Sequence, residues 1–589
     1  MKISNFQKNL KTLIIFISED CISGKKVDPR LIFRHYCKID KTIKKIINTF
    51  LYIFFSIIKI VSLSNFFKLS KTKKIFFLKF IIKFPFIGEK INELFCALIL
   101  IHFYNYEKIF NNVKKNSNLK NNFEFIVIGS GPGGSVTALE IIKKKKDVMI
   151  IEEGSSYSDA HTKHPGNEFI MKWRDGGVNS SILGTQINFS SGKSLGGGSE
   201  INSGLFHLPD ERFIDDWKKK FETEDFDYQE IKKYSREISE YFNLSDEQNF
   251  ENDVNPDKFL EGSKKLNFKI EKIKKLKTIQ NGKELKLSMK NTYIKEYLKK
   301  GGEILQNSFV ESVNRKNKLW EIKIINKKKT KFFYCKYLFV CCGSIYTNQL
   351  LQKSNILGKS KDKLDFKLHP MIKVIVDYEE KVQSLNNDVH QYQVTEFYPK
   401  YILGNASSSP QFILNNFTKD KKNFSYIKNN FQNLSVYHAT FSFGEGNIKK
   451  LYNGYNFIRY KIPNENLSVI KESLINLCKV LFEGGGRKII LLKKGYPHLN
   501  KNNFITIINS IKKINDLKFS SVHILGGVSM GESKNALSNS YGKLKLLENI
   551  FVNDSSLINT NLLKNPQGIV MTIALRNIRK FFEKYYENN

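Results

Sequence analysis

The sequence predicts an α/β fold: a Rossmann-type dinucleotide-binding unit, a second domain built on a mainly antiparallel sheet, and an N-terminal helical region. Three observations predict it. FEFIVIGSGPGGSVTALEIIKKKKDVMIIEEG, residues 123–154, reads as strand, glycine loop, helix and strand, the context in which a GxGxxG spacing carries meaning. From about residue 364 to 462, strand-like runs succeed one another with no helical pattern between them. Residues 1–120 are rich in Lys, Ile and Phe, with lysines recurring at roughly helical spacing from Lys68 to Lys83.

The 589 residues exceed one ordinary core and suggest two or three units. With 41% hydrophobic residues and 47 Phe there is ample material to bury. A net charge of +38 draws a chain toward anionic surfaces. The lysines scatter, however, few arginines accompany them and no nucleic-acid module forms, so no nucleic-acid partner is expected. Seven cysteines form no CxxC and no metal-ligand spacing, so no metal is expected. An odd count in a long chain fits a reducing compartment. The apolar run Leu13 to Ile17 is short and acids follow it at once, which is a poor secretory signal. The expected location is cytoplasmic, with peripheral membrane contact as the alternative for the N-terminal region.

Within that region Ile46 to Ile58 is uncharged but short of the ~20 residues a membrane span needs. It reads as part of a helical cap on the catalytic body, with a basic, aromatic-rich membrane contact as the competing reading. In the dinucleotide unit, Gly129 permits the sharp turn out of the first strand. Gly131 lets backbone approach a pyrophosphate, and Gly134 lets the helix pack on the sheet. The helix N-terminus favours an anion, and Glu152 at the tip of the second strand can accept hydrogen bonds from a ribose.

GKSLGGGSEIN, residues 192–202, implies backbone lying against something flat or bulky. Residues 211–245 read as helical, 256–290 as polar and lysine-rich, and 302–320 and 332–342 as strands. Gly343 ends the last of these, and Thr347 to Gln352 suggests a helix start. The second sheet is expected from Met371–Tyr378, Gln391–Tyr398, Gln411–Phe417, Leu434–Phe443 and Tyr455–Ile462, followed by a helix from Asn464 to about Glu483. Gln391, Gln393 and Glu396 either face a pocket from this sheet or simply follow strand alternation.

The tail holds SSVHILGGVSMG, with His523 before a glycine pair, and FVNDSSLINTNLLKNPQGIVMTIALRN. A histidine with its ordinary pKa near ~6.5 is suited to take a proton from an alcohol. Asn565-Pro566 reads as a helix start, Asn as N-cap and Pro at the first helical position.

Together these motifs resemble the glucose–methanol–choline (GMC) oxidoreductases, FAD-dependent enzymes that oxidise alcohols. The resemblance runs from about Phe123 to the C-terminus. It rests on GSGPGG with Glu152, on GKSLGGGSEIN, on YLFVCCGSIYTNQLLQKS and on the tail, and is nearest the cholesterol-oxidase-like and long-chain-alcohol-oxidase-like branch. It implies a discontinuous FAD-binding domain of residues 121–215, 291–355 and 516–589. A connecting region would cover 216–290, the substrate domain 356–515, and the helical cap or membrane-surface region 1–120. Gly129, Gly131, Gly134 and Glu152 would hold the ADP half of FAD. Gly197, Gly198, Ser199 and Asn202 would line the flavin, Val310 would meet the adenine, and Asp554 and Ser555 the ribityl–phosphate region. Pro566 would begin a helix aimed at the flavin. His523 would be the catalytic base and Asn565 its hydrogen-bonding partner.

Four departures from the family pattern stand out: Gly526-Gly527-Val528-Ser529 after the histidine, Asn348 in place of a proline, Leu208 in place of an arginine, and Ile201 where some members tether FAD through a histidine. The last implies non-covalent FAD. The expected partners are a small-molecule alcohol, apolar or bulky given the aromatic-rich cap, and an electron acceptor that is oxygen or a quinone or cytochrome. Two other readings use the same residues: an FAD-containing lyase, and a basic membrane-surface protein with a silent flavin.

Overall fold

Apolar residues fill Asn122–Ile128 (β1) and Val148–Ile151 (β2), and both strands are buried along nearly their whole length, as parallel strands covered on both faces should be. The computed structural model describes residues 4–22, 27–85, 87–103, 120–157, 165–181, 183–244, 254–280, 283–326, 329–357, 363–382, 392–406, 410–417, 420–450, 456–492, 497–560 and 562–586. β1 pairs in parallel with β2 on one side and with Lys329–Val340 on the other. Glu303–Leu305 extends the sheet beyond β2, and Ile550–Val552 adds in parallel to Lys329–Val340. Phe309–Lys316 and Leu319–Asn326 complete a seven-stranded sheet as an antiparallel meander.

The helix Pro132–Lys143 connects β1 to β2 and packs against the C-terminal helix Gln567–Phe581. Val136 and Leu139 from the first and Met571, Leu575, Ile578 and Phe581 from the second share one buried cluster. Each such side chain contributes roughly 1.5–3 kcal/mol on burial. The tail is thereby held beside the glycine loop although more than four hundred residues separate them.

A nine-stranded sheet forms the second domain. Its centre runs Phe519–Ser521, Met371–Asp377, Leu434–Thr440, Ile402–Ala406, Tyr392–Val394, and neighbouring strands here are antiparallel. Three expectations are corrected. Gln411–Phe417 is not a strand: Pro410–Asn415 is a helix, opened by a proline whose fixed φ suits a first turn. Ile413, Leu414 and Phe417 are buried together, a helical rather than an alternating spacing. The expected Gln391–Tyr398 strand contracts to Tyr392–Val394, and Gln391 lies outside the described residues. Asn456–Lys461 pairs instead in a separate five-stranded sheet.

Five helices precede β1: Asn5–Cys21 (α1), Pro29–Tyr36 (α2), Lys41–Ser62 (α3), Lys71–Lys83 (α4) and Ile87–Phe103 (α5). Ser4, Asp28, Asp40 and Ser70 cap the first four through side-chain oxygens, as short polar N-caps do. Leu94, Leu98 and Ile99 of α5 share one core with Ile375, Val436 and Ile490 of the second sheet, so the helical region lies on that sheet. α3 is longer than the uncharged run it contains and, among the described residues, is the one helix long and apolar enough to cross a membrane.

A buried histidine pair ties this region to the body. His35 Nε2 donates to the Gly176 carbonyl at 3.1 Å, which leaves Nδ1 to accept from His102 Nε2 at 3.2 Å. Burial pulls His35 down to about 3 and His102 to about 4. In the unfolded chain both rings take up protons near pH ~6.5 that the folded rings refuse, so this pair removes stability as pH falls below that value. His35→Gln should therefore reduce the loss of melting temperature between pH 7.5 and pH 5. A thermal scan showing the same pH-dependent loss as the parent would contradict this assignment.

Candidate active site

The glycine loop is shaped by what its residues cannot carry. Gly129 has φ +99°, and a Cβ there would lie 2.3 Å from the Cys341 carbonyl oxygen. One on Gly134 would lie 2.0 Å from the Gly129 carbonyl oxygen, and one on Gly133 would lie 2.1 Å from that of Asn553. These three glycines are consumed by packing. Gly131, Gly198 and Gly343 are different: a Cβ on any of them meets no protein atom within 4 Å, and all three border one cavity. A backbone left bare beside open space is what close approach of a ligand requires.

That cavity has a volume of about 970 Å³. Every residue given a catalytic or cofactor role above lines it except Gly134, which lies beneath the loop; Gln393 lines it too, and Glu396 does not. Gly131 is the N-cap of Pro132–Lys143, so unpaired N–H groups and the helix dipole face an anion placed there. Val310 is buried at a register shift between two strands, an irregularity that re-aims backbone.

Glu152 and Asp554 are both buried and both held by local donors. Ser130 donates to Glu152 Oε2 through its N–H (3.0 Å) and its hydroxyl (2.6 Å), and the Gly154 N–H donates to Oε1 (2.6 Å). Burial pushes the Glu152 carboxyl up while these bonds hold it down. Oε1 keeps acceptor capacity for a ribose hydroxyl. Asp554 accepts from the Gly343 N–H, Thr347, and the Ser556 N–H and hydroxyl. Its carboxylate thereby fastens the tail to the turn at Gly343. Ser555 Oγ accepts from the Ser344 N–H at 3.3 Å.

The two glycine blocks meet through Ser130, whose hydroxyl accepts from the Gly196 N–H at 3.0 Å. Ser199 Oγ donates to the Gly196 carbonyl and accepts from the Met289 N–H. Asn202 Nδ2 donates to Gln567, joining the second block to the start of the C-terminal helix. That helix begins one residue later than expected, with Pro566 as N-cap and Gln567 its first residue. Asn565 is thus not the cap, and its amide is free to act elsewhere.

It acts on His523. Asn565 Nδ2 lies 3.1 Å from His523 Nε2, while Asn565 Oδ1 accepts from Gln393 Nε2 at 3.4 Å. An amide N–H can only donate, so the network assigns the lone pair of His523 to Nε2 and its proton to Nδ1. His523 Nδ1 lies 2.9 Å from His369 Nδ1 and donates to it. Burial pulls His369 down to about 4, with the Leu562 backbone offsetting part of that, so His369 is a neutral acceptor at pH 7. The arrangement presents an imidazole whose Nε2 lone pair points to Asn565 at the cavity wall.

Four of these features went unrecognised in the sequence: Ser130, Gly343 as a cavity glycine, His369 as the partner of His523, and Gln393 as the partner of Asn565. No local pattern marks His369, which reaches the site through strand register; strand alternation offered Gln393 as a pocket-facing residue but not its bond to Asn565. Asn348 is explained by contact. A Cβ on Gly527 would lie 1.8 Å from Asn348 Nδ2, so the amide fills the space that the bare Gly527 leaves.

Comparison with known proteins settles the family. The N-terminal GMC oxidoreductase model matches residues 123–371 and the C-terminal one residues 484–574, together more than half of the chain. The chain belongs to the GMC oxidoreductase family. An uncharacterized GMC-type oxidoreductase of Sinorhizobium fredii is 24% identical over 78% of this chain and 95% of its own length. A long-chain-alcohol oxidase of Arabidopsis thaliana is 20% identical over 79% of this chain and 70% of its own. Pyridoxine 4-oxidase from Mesorbium loti shares the fold with a TM-score of 0.58, at 12% identity, over 79% of this chain and all of its own. This GMC oxidoreductase therefore has the fold of solved oxidases and an oxidoreductase function.

The two kinds of glycine separate experimentally. Gly131→Val, with φ −67° and no protein atom in the way, should fold with near-parental stability yet purify almost without flavin. Gly129→Ala should lose fold stability itself, since φ +99° and the Cys341 carbonyl both oppose a side chain. Flavin content by absorbance and melting of the flavin-free proteins check both, and a flavin-replete Gly131→Val protein would overturn the cradle.

Proposed function

We propose that this GMC oxidoreductase uses non-covalently bound FAD to oxidise the CH–OH group of an alcohol to a carbonyl, with His523 as the base. The observation that carries this reading is the direction of the hydrogen bonds around His523: Asn565 donates to Nε2, and Nδ1 donates to His369. A hydroxyl arriving beside Asn565 meets a basic nitrogen already deprotonated and already oriented. As the ring takes the hydroxyl proton, the positive charge that develops is shared with His369 through the Nδ1–H bond, while the Asn565 amide steadies the substrate oxygen. FAD, when bound, accepts the hydride that leaves the alcohol carbon.

The residues present suit that cofactor. Gly131, Glu152 and Val310 border the space that the ADP half would take, Gly129 and Gly134 shape the loop by close packing, and Gly197 and Gly198 would offer backbone to a flat ring. Ile201 lines the cavity and offers no nucleophile for a covalent tether. Beyond His523 the walls are Ile43, Ile47, Leu94, Ile101, Ile402 and Val436, which suits an apolar alcohol, in keeping with the similarity to a long-chain-alcohol oxidase.

We propose also that the protein docks on the surface of an anionic bilayer. α3 buries Ile47, Leu51, Phe54, Phe55 and Ile58 but exposes Tyr52, Ile53, Ile57, Ile60 and Val61, and α4 exposes Phe76 and Phe80. Ten lysines and no acidic residue occur between Lys41 and Gly88, so the charge around this apolar face complements anionic headgroups.

His523→Ala should keep its yellow flavin and lose anaerobic flavin reduction by 1-dodecanol by about 10²–10⁴-fold; unchanged reduction kinetics would sink the assignment. On the surface, the flavin-loaded enzyme should float with phosphatidylcholine vesicles containing phosphatidylglycerol, less so at high salt. Ile57→Glu/Ile60→Glu should abolish flotation without lowering dodecanol oxidation in detergent. Salt-independent self-association through this face, with no vesicle binding, would instead show that a second copy covers it.

A further inference from the structure

One row of side chains breaks the apolar wall of the second sheet. Lys373 stands opposite His438, His438 opposite Gly404, and Gly404 opposite Gln393. The next row on the same face is Ile375, Val436 and Ala406, two residues along each strand as the pleat requires. Lys373, His438 and Gln393 all line the cavity. A Cβ on Gly404 would lie 2.9 Å from His438 Nε2, so the bare glycine makes room for that ring.

Two groups in this row carry unmet bonding. Lys373 pairs with no acidic side chain among the described residues; burial alone acts on its ammonium, pulling it below the usual lysine range. Gln393 is buried, its Nε2 is spent on Asn565, and its Oε1 has no hydrogen-bond partner. An ammonium drawn partly out of water without a counter-charge is destabilising, and nothing within this wall offsets it. An anion in the cavity does. The orphan amide oxygen lies at the catalytic end of the row.

Distance limits the ligand. His369, against His523, precedes Lys373 by four residues, roughly 13 Å of extended chain. The reacting hydroxyl and the anion are therefore separated by a long spacer, and the row between them on this face, Met371, Thr440 and Ile402, gives that spacer a mainly apolar wall. We propose that Lys373 is a specificity-determining residue that takes the carboxylate of an alcohol whose reacting hydroxyl lies at the far end of an apolar chain: chemically, an ω-hydroxy carboxylate. This rests on the alcohol-oxidation reading above.

The test uses the FAD-loaded enzyme with 12-hydroxydodecanoate and 1-dodecanol as probes. Binding is followed through the visible spectrum of the flavin and through melting temperature, and reduction through anaerobic bleaching. The hydroxy acid should bind at least about tenfold more tightly than the alcohol at pH 7. That preference should vanish in Lys373→Met, survive in Lys373→Arg, and fade in the parent as pH rises through the titration of the amine. Lys373→Met should also melt higher in the absence of either probe, since it removes an unpaired charge drawn partly out of water. Equal binding of the two probes by the parent, or an undiminished preference in the Met variant, would overturn the proposal. If the Met variant does not fold, the parent's preference and its pH dependence decide alone. Bleaching by dodecanol without a preference refutes the role of Lys373 and leaves alcohol oxidation standing. A preference without bleaching does the reverse.

Discussion

The helix Pro132–Lys143 can start where it does only because three of its neighbouring positions have no side chain. Gly129, Gly133 and Gly134 each bring backbone within van der Waals range of other backbone, that of Cys341, of Asn553 and of Gly129 itself. Those contacts bind segments from three distant parts of the sequence into one junction. Because the junction is made of main chain, it has no rotamers to relax, and a single methyl group would force the strands apart. Everything that follows, from the bare edge at Gly131 and Gly198 to the seating of Asp554, inherits its position from this close packing.

His523 inherits a second constraint. Its ring is held from both nitrogens, by an amide that can only donate and by a buried imidazole that stays neutral. Tautomer and orientation are fixed together, so little reorganisation remains when a proton moves. Neither Asn565 nor His369 is close to His523 in sequence. One arrives on the lead-in to the C-terminal helix, the other just before the first long strand of the second sheet. The proposed base thus sits on the seam between the two sheets.

Much of this was legible in the sequence because the signals are local. The glycine spacing between two apolar runs, the second glycine block, and the histidine before a glycine pair each carry their meaning within a dozen residues, and the cavity brings them together. What was hidden is what depends on register. Gln393 is one polar residue in an alternating strand, and only pairing with Ile402–Ala406 carries it to Asn565. His369 stands just ahead of the strand Met371–Asp377, and nothing local ties it to His523. The Gln411–Phe417 run was read as a strand because short apolar segments lack a decisive period; its burial on an N-terminal core made it a helix. Asn565 was expected to cap a helix, and a one-residue shift released its amide for His523.

α3 contributes Ile43 and Ile47 to the cavity wall and turns Ile57 and Ile60 to the outside. The two sets of side chains lie about three to five turns apart on one helix. If the bilayer docking proposed above holds, an oily molecule dissolved against that helix would have a short path to the pocket. The quantity governing turnover would then be its mole fraction in the lipid, not its concentration in water. The enzyme would respond to how crowded the membrane is with its substrate and would slow on simple dilution of that substrate by other lipids.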